Sequence, residues 1–335
     1  VALAGLAVAL GCFLMMSGRS SSAQEPARVF ILQSYNPEYV WTQNIDQGIR
    51  DALAGLDVVY EAFYLDAKRQ PDPQLLRQAG EEAWQRITQW APRVVVTVDD
   101  AAQALVAAPR LRGRESPQVV FCGVNAPLSR YGFPAANVSG VRERWHYREG
   151  FALLKRILPG LRSVAFLVED SESGRLVAGD LLEERRNGPF ALDLAGVETV
   201  GTFQQWQRRI LHYQAEADAL ALGLYNSLVD EATGRVVPPD AVMAWTNAAN
   251  ARPTLGFSDI AKDHGLLCGV LESGHEQGYL AGSMVRAILT QGVAAGTLPV
   301  RINEQGVVLV NLKTATQHGI VVPYEIIEAA GVVVQ

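Results

Sequence analysis

Short apolar runs rich in β-branched residues alternate along this chain with longer stretches of helical period, and few folds accept that alternation. One series of runs covers 28–32 (RVFIL), 58–63 (VVYEAF), 93–98 (RVVVTV) and 118–123 (QVVFCG). A second covers 163–168 (SVAFLV), 219–224 (ALALGL), 253–257 (PTLGF) and 266–271 (LLCGVL), with a further strand expected around 192–200. Near-continuous apolar strands are buried on both faces, which requires helices on both sides of a parallel sheet. The intervening segments supply them. Ile45, Ile49, Leu53 and Leu56 recur on one helical face, as do Leu76, Ala79, Ala83, Ile87 and Trp90, and again Leu280, Met284 and Ile288. These stripes read as core. The two series part near 140–159, so the expected class is α/β, with two Rossmann-like doubly wound lobes and an interlobe cleft. Ligands of open α/β sheets lie beyond the carboxyl ends of the strands, and two sheets facing each other would bring all such loops to one cleft.

The balance of 29 basic to 35 acidic residues, a formal net charge of -6, offers no footprint for a phosphate backbone, so no nucleic-acid partner is expected. Residues 1–16 carry no charge and are nearly all apolar. A membrane span needs about 20 apolar residues, whereas this run passes at once into Ser17, Gly18, Arg19 and three serines. Ser21-Ser22-Ala23 resembles a small-residue cleavage site, so 1–23 is expected to be a signal peptide and the protein periplasmic or otherwise extracytoplasmic. The segment opens on Val1 with no Lys or Arg before Arg19, which leaves an uncleaved anchor as the alternative. Lipid modification at Cys12 is disfavoured because Phe13 to Met16 continue the apolar run. Cys122 and Cys268 lie inside apolar runs and are expected to be buried free thiols rather than a bridge.

Catalytic signatures are absent. The chain has no G-x-S-x-G elbow, no phosphate-loop motif, no strand-linked G-x-G-x-x-G and no H-E-x-x-H. His146, His212, His264, His275 and His318 are scattered without metal spacing. No cofactor, no metal and no enzymatic activity are expected.

Function should therefore lie in the strand-end loops. The first strand runs into 33–41 (QSYNPEYVW), the second ends at 64–69 (YLDAKR), the third at 97–101 (TVDDA) and the fourth at 121–125 (FCGVN). An amine would want an acceptor, and Asp66, Asp99, Asp100 and Glu143 are the candidates; the competing role for Asp99 or Asp100 is to cap the helix that follows. Helix amino-termini suit a carboxylate, which singles out Asp170, Ser171 and Ser173 in 169–174 (EDSESG), with Ser34 offering a hydroxyl from the first loop. These serines could equally cap their own helices. Tyr35, Trp41, Trp145 and Tyr147 could stack on an apolar ligand or cover an ammonium. Asn125, Asn226 and Glu272 complete the set as polar groups at strand ends.

Taken in order, these segments with 139–143 (SGVRE), Glu272-Ser273-Gly274, Gln277-Gly278, Leu298-Pro299-Val300, 310–315 (VNLKTA), Gly319 and Pro323 resemble the ABC-transporter substrate-binding family that includes tryptophan/tyrosine-binding proteins. The likeness spans nearly all of 28–323. The first loop, with Tyr35, Pro37 and Trp41, is also similar to extracytoplasmic sensor domains of that family that are fused to kinases. The resemblance implies a type I periplasmic-binding-protein fold, divided as 28–140 plus 272–298 in the first lobe and 141–271 plus 299–335 in the second. It further implies a monomer that closes by a hinge on a small amino-acid-like ligand, with aromatic amino acids first, and delivers it to the membrane permease of an ABC importer. The alternative is a free-standing ligand-sensing module for a membrane receptor such as a histidine kinase, since no kinase segment precedes Gln335.

Overall fold

The computed structural model describes residues 1, 25–70, 72–304 and 306–335. Of the expected signal peptide, 1–23, all but Val1 lies outside the described residues, Cys12 included. The first lobe is built on β1 (Ala27–Gln33), α1 (Val40–Leu53), β2 (Val58–Tyr64), α2 (Pro73–Trp90), β3 (Val94–Val98), α3 (Asp99–Ala102, continued by wider π-type turns over Gln103–Leu111), β4 (Gln118–Val124) and β5 (Val138–Arg142). Its strands pair in the order β2-β1-β3-β4-β5, all parallel. Alternate residues of β1 serve opposite faces, as the period-2 geometry of a strand dictates. Val29 and Ile31 join the core under α1, while Phe30 and Leu32 join the core under α2 and the 99–111 helix.

The second lobe contains α4 (Tyr147–Ile157), β6 (Ser163–Glu169), α5 (Glu172–Arg186), β7 (Asp193–Val200), α6 (Phe203–Glu216), β8 (Ala219–Leu222), α7 (Pro239–Ala249), β9 (Thr254–Ser258) and β10 (Cys268–Glu272). After α8 (Gly274–Gln291) and β11 (Arg301–Ile302) the chain adds β12 (Val307–Asn311), α9 (Leu312–Gln317), α10 (Tyr324–Glu328) and β13 (Val332–Val334). The second sheet runs β7-β6-β8-β9-β10-β12-β13, parallel except where β12 meets β10 antiparallel. Phe166 and Val168 pack with Phe151 and Phe257 on one face; Ala165 and Leu167 pack under Trp206, Ile210 and Met243 on the other.

Three crossings join the lobes. The chain leaves the first sheet after Arg142, returns from Glu272 into α8, and crosses again after Ile302. The sequence reading sets the last crossing at Pro299 and the first at Gly140. Both fall later in the structure because Arg301 and Ile302 pair with Val141 and Arg142 at the edge of the first sheet. A strand of two exposed residues leaves no periodic signal.

Helix α8 belongs to the first lobe, where it lies backbone to backbone against α1. A Cβ at Gly278 would stand 2.1 Å from the Ile45 carbonyl oxygen, and one at Gly48 would stand 2.1 Å from that of His275. Only glycine permits such an approach. It fixes Trp41, in the first turn of α1, against the start of α8 beside Gly274. Among the described residues no helix is long and apolar enough to cross a membrane. Cys122 in β4 and Cys268 in β10 are buried and unbridged, one in each sheet.

Candidate functional site

Strand order reverses between β1 and β3 in the first sheet and between β6 and β8 in the second, and the loops leaving those strands face each other across the cleft. Their side chains enclose a cavity of about 30 Å³ lined by Tyr35, Tyr39, Trp41, Lys68, Asp99, Asn125, Glu143 and Trp145 on one side. Ser173, Val177, Leu224 and Ser258 of the second lobe line the other. A space of that size takes one or two water-sized groups, so the lobes stand nearly in contact. Tyr35 and Ser173 share a hydrogen bond of 2.9 Å between lobes, and Asn226 Nδ2 donates to the Tyr39 hydroxyl at 3.4 Å. At the rim, Arg130 pairs with Glu172 at 2.7 Å.

Asp99 is the centre of the site. It directly follows Val98, the last residue of buried β3, and takes φ 59, a left-handed conformation that Asp tolerates better than most residues. That turn sets its carboxylate beside Gly123 of β4, where a Cβ would stand 2.7 Å from Oδ1. Oδ1 accepts from Trp41 Nε1 at 3.0 Å, while the buried Oδ2 has no hydrogen-bond partner among the described residues. Burial, reinforced by the nearby Glu143 carboxyl, holds its pKa well above the usual carboxylate range. Glu143, on the first crossing, is better served. Its Oε1 accepts from Trp145 Nε1 at 2.6 Å and its Oε2 from Asn125 Nδ2 at 3.0 Å. Burial nonetheless pushes it up to about 8. Glu272, on the second crossing, accepts from Gln277 Nε2 at 2.9 Å and is raised by burial and by Glu143.

The aromatic groups form the walls. Tyr35 and Tyr39 meet edge to face at a centroid distance of 5.6 Å. The Lys68 ammonium lies 4.7 Å from the Tyr35 ring centroid and 5.4 Å from that of Tyr39, and 3.5 Å from Glu169 Oε1 of the second lobe. Two unmatched or raised carboxyls, faces of aromatic rings and one ammonium therefore share a small desolvated space. Such a surface is suited to a cation flanked by apolar atoms.

Of the residues singled out from sequence, Tyr35, Trp41, Asp99, Asn125, Glu143, Trp145 and Ser173 converge on this cavity, and Asn226 borders it through Tyr39. The others lie elsewhere. Asp100 accepts from the Asn125 and Ala126 amides at 3.1 Å each and from the Tyr131 hydroxyl at 2.8 Å, so both its oxygens clamp the loop after β4. Ser34 donates to the Val98 carbonyl and accepts from the Ala102 amide at 2.9 Å, capping α3. Ser171 caps α5 through the Gly174 amide at 3.0 Å. Asp66 and Asp170 form exposed pairs with Arg69 at 2.8 Å and Arg175 at 2.6 Å. Glu272 is buried among the crossings behind the cavity, and Tyr147 donates to the Val177 carbonyl within the second lobe. Tyr39, Lys68, Glu169 and Ser258 were not anticipated. Glu169 had a legible signal, an acid at the very end of an otherwise apolar strand, and Lys68 stood in a strand-end loop already marked for its Asp.

Among the described residues no group of three or more His, Cys, Asp or Glu side chains could hold a metal ion. No family model matches the chain, and no curated protein matches it. Solved structures do. A conserved domain protein from Vibrio cholerae O1 biovar El Tor superposes with a TM-score of 0.68 at 18% identity, covering 92% of this chain and 99% of that one. An ABC domain in complex with L-Trp from Streptococcus pneumoniae gives 0.68 at 19% identity, over 92% and 100% of the two chains. A substrate-binding protein with adhesive properties from Clostridium difficile, in a ligand-free, open structure, gives 0.66 at 15% identity, over 92% and 99%. The chain has the type I periplasmic-binding-protein fold that the resemblance implies.

Proposed function

We propose that this protein is an extracytoplasmic solute-binding protein that captures a small amino-acid-like ligand, aromatic amino acids first, by closing its two lobes on it. The reading rests on the unpartnered Oδ2 of Asp99, a buried acceptor in an aromatic cavity between the lobes. A buried carboxylate without a partner is costly, and a ligand ammonium is the group that would repay that cost. Closure follows from differential affinity: a ligand touching Asp99 in one lobe and Ser173 in the other favours the arrangement in which it bridges both. Since the cavity here takes only one or two water-sized groups, that arrangement holds the lobes somewhat further apart than they stand here. No bond is broken in this scheme. The loaded monomer would then dock on the permease of an ABC importer.

The first-loop similarity to sensor domains, whose Tyr35 and Trp41 both line the cavity, favours a second reading in which the same closure reports to a membrane receptor. Neighbouring genes for a permease and ATPase, or for a histidine kinase, separate the two. Ligand capture itself is tested by mass spectrometry of small molecules released on denaturing the purified protein, with a thermal-shift screen of amino acids. Stoichiometric binding of an amine-bearing compound without turnover supports the proposal. Turnover of the bound compound, or an absence of any amine-bearing ligand from both assays, overturns it.

A further inference from the structure

Resting on that reading, we infer that Lys68 is the residue that requires a carboxylate of the ligand, so that the site selects amino acids over the corresponding amines. Lys68 is the one cationic side chain among the described residues lining the cavity. Its backbone is fixed by the first loop, because the Leu65 amide donates to the Gln33 carbonyl and the Ala67 amide to that of Ser34, each at 2.9 Å. The side chain thus projects from the first lobe across the Tyr35 ring toward the second.

An ammonium carries three donors. Lys68 uses one, toward Glu169 Oε1 at 3.5 Å, the outer limit of a hydrogen bond. Glu169 does not depend on it, since Oε1 also accepts from Ser171 Oγ at 3.0 Å and Oε2 from the Ser227 amide at 2.6 Å. The Lys68 side chain is only 11% exposed, so its remaining N–H groups face aromatic rings and the cavity rather than bulk water. Asp99 Oδ2 supplies an unused acceptor in the same cavity. An unused acceptor and unused charged donors, separated by aromatic walls, match the two ends of a zwitterion. The competing role for Lys68 is a latch that ties the lobes through Glu169 whatever the ligand, and the two roles differ in one observable: a latch serves amines and amino acids equally.

Calorimetric titration of the mature chain with matched pairs, L-tryptophan with tryptamine, L-tyrosine with tyramine and L-phenylalanine with phenethylamine, decides between them. Wild type is expected to bind an amino acid about 10- to 100-fold more tightly than its amine, the range of a charged hydrogen bond. Lys68→Met should remove that preference, weakening the amino acid about 10- to 100-fold more than its amine, and Lys68→Arg should restore most of it. Equal weakening of both members of a pair, or a preference unchanged in Lys68→Met, overturns the assignment, as does a wild type that binds the amine as well as the amino acid. That last result needs no variant and leaves amine capture standing. Binding of none of the six compounds overturns the assignment, which is argued for an aromatic amino acid, while the proposed function stands or falls on the release and thermal-shift assays. Circular dichroism of each variant confirms that it is folded.

Discussion

The Tyr35 hydroxyl and the Ser173 hydroxyl lie 2.9 Å apart across the cleft, one at the carboxyl end of β1 and the other in the first turn of α5. Each comes from the loop at its sheet's point of strand-order reversal. Residues 138 positions apart are thereby made neighbours by topology alone.

Removing that hydroxyl isolates its contribution to closure. Tyr35→Phe keeps the ring that faces Tyr39 and Lys68 but deletes the hydrogen bond, which is worth about 0.5–1.5 kcal/mol. The closed-to-open ratio should fall by about 2- to 10-fold, read by energy transfer between one dye on each lobe, while the denaturation midpoint moves little. An unchanged distance distribution would show that the contact does not bias the hinge.

Asp99→Asn should separate stability from binding. Asn tolerates the positive φ and can still accept from Trp41 Nε1, so the turn is preserved. A carboxyl whose pKa is raised in the folded state binds more protons there than when unfolded, so its contribution to stability declines as pH rises above its ordinary value. The amide escapes that decline. Urea denaturation should therefore show a variant about as stable as wild type near pH 4 and progressively more stable toward neutrality, yet one whose affinity for an amine-bearing ligand falls by about 10-fold or more. A variant that binds normally would remove Asp99 as the amine anchor.

Glu143 sets a second pH dependence. Its folded value of about 8 exceeds the ordinary 4.5 because burial disfavours the charged form. Between those values the folded state holds a proton that the unfolded chain has released, so stability decreases with rising pH across this window and levels off above it. Asp99 and Glu272 act in the same direction. Thermal unfolding at pH 5, 6, 7 and 8 should show midpoints descending in that order, with a shallower slope in Glu143→Gln. A flat wild-type profile would mean that the cluster is solvated in solution.

The sequence made the framework legible where burial left a run of apolar residues. All nine strands expected from such runs are present, because 94–98 or 164–168 can be nothing but interior strand. β5 was harder to read, since Gly140 stands at its centre with space for no Cβ, 2.1 Å from the Phe121 carbonyl oxygen. The site was legible only in part for a different reason. Asp99 and Asp100 are adjacent and chemically identical, and whether a carboxylate faces the cleft or clamps a loop depends on Tyr131 and the Asn125 amide, which only folding brings near. Lys68 gained its place from Glu169 and Tyr35, partners 101 and 33 residues away, and no local pattern encodes such pairings.

One side chain ties the three crossings together. Asn303, buried on the third, accepts from the Arg144 amide at 2.8 Å and from Gln277 Nε2 at 3.2 Å. Its Nδ2 donates to the Arg144 carbonyl at 3.0 Å and reaches His146 Nε2 at 3.3 Å. Arg144 lies on the first crossing and Gln277 on the helix that follows the second, so all three meet at a single amide. That histidine acts as acceptor in the contact, which requires its neutral form, and burial lowers its pKa accordingly. Asn303→Ala leaves both backbone groups of Arg144 without this partner and should cost about 2–3 kcal/mol in urea denaturation. Hydrogen exchange at the Arg144 amide should accelerate together with widened interlobe distances. Asn303→Asp keeps the acceptor but loses the donor and adds a carboxylate near Glu143 and Glu272, so its defect should grow with pH while that of Asn303→Ala stays nearly constant. Equal behaviour of the two variants at every pH would show that the crossings are held by backbone packing rather than by this amide.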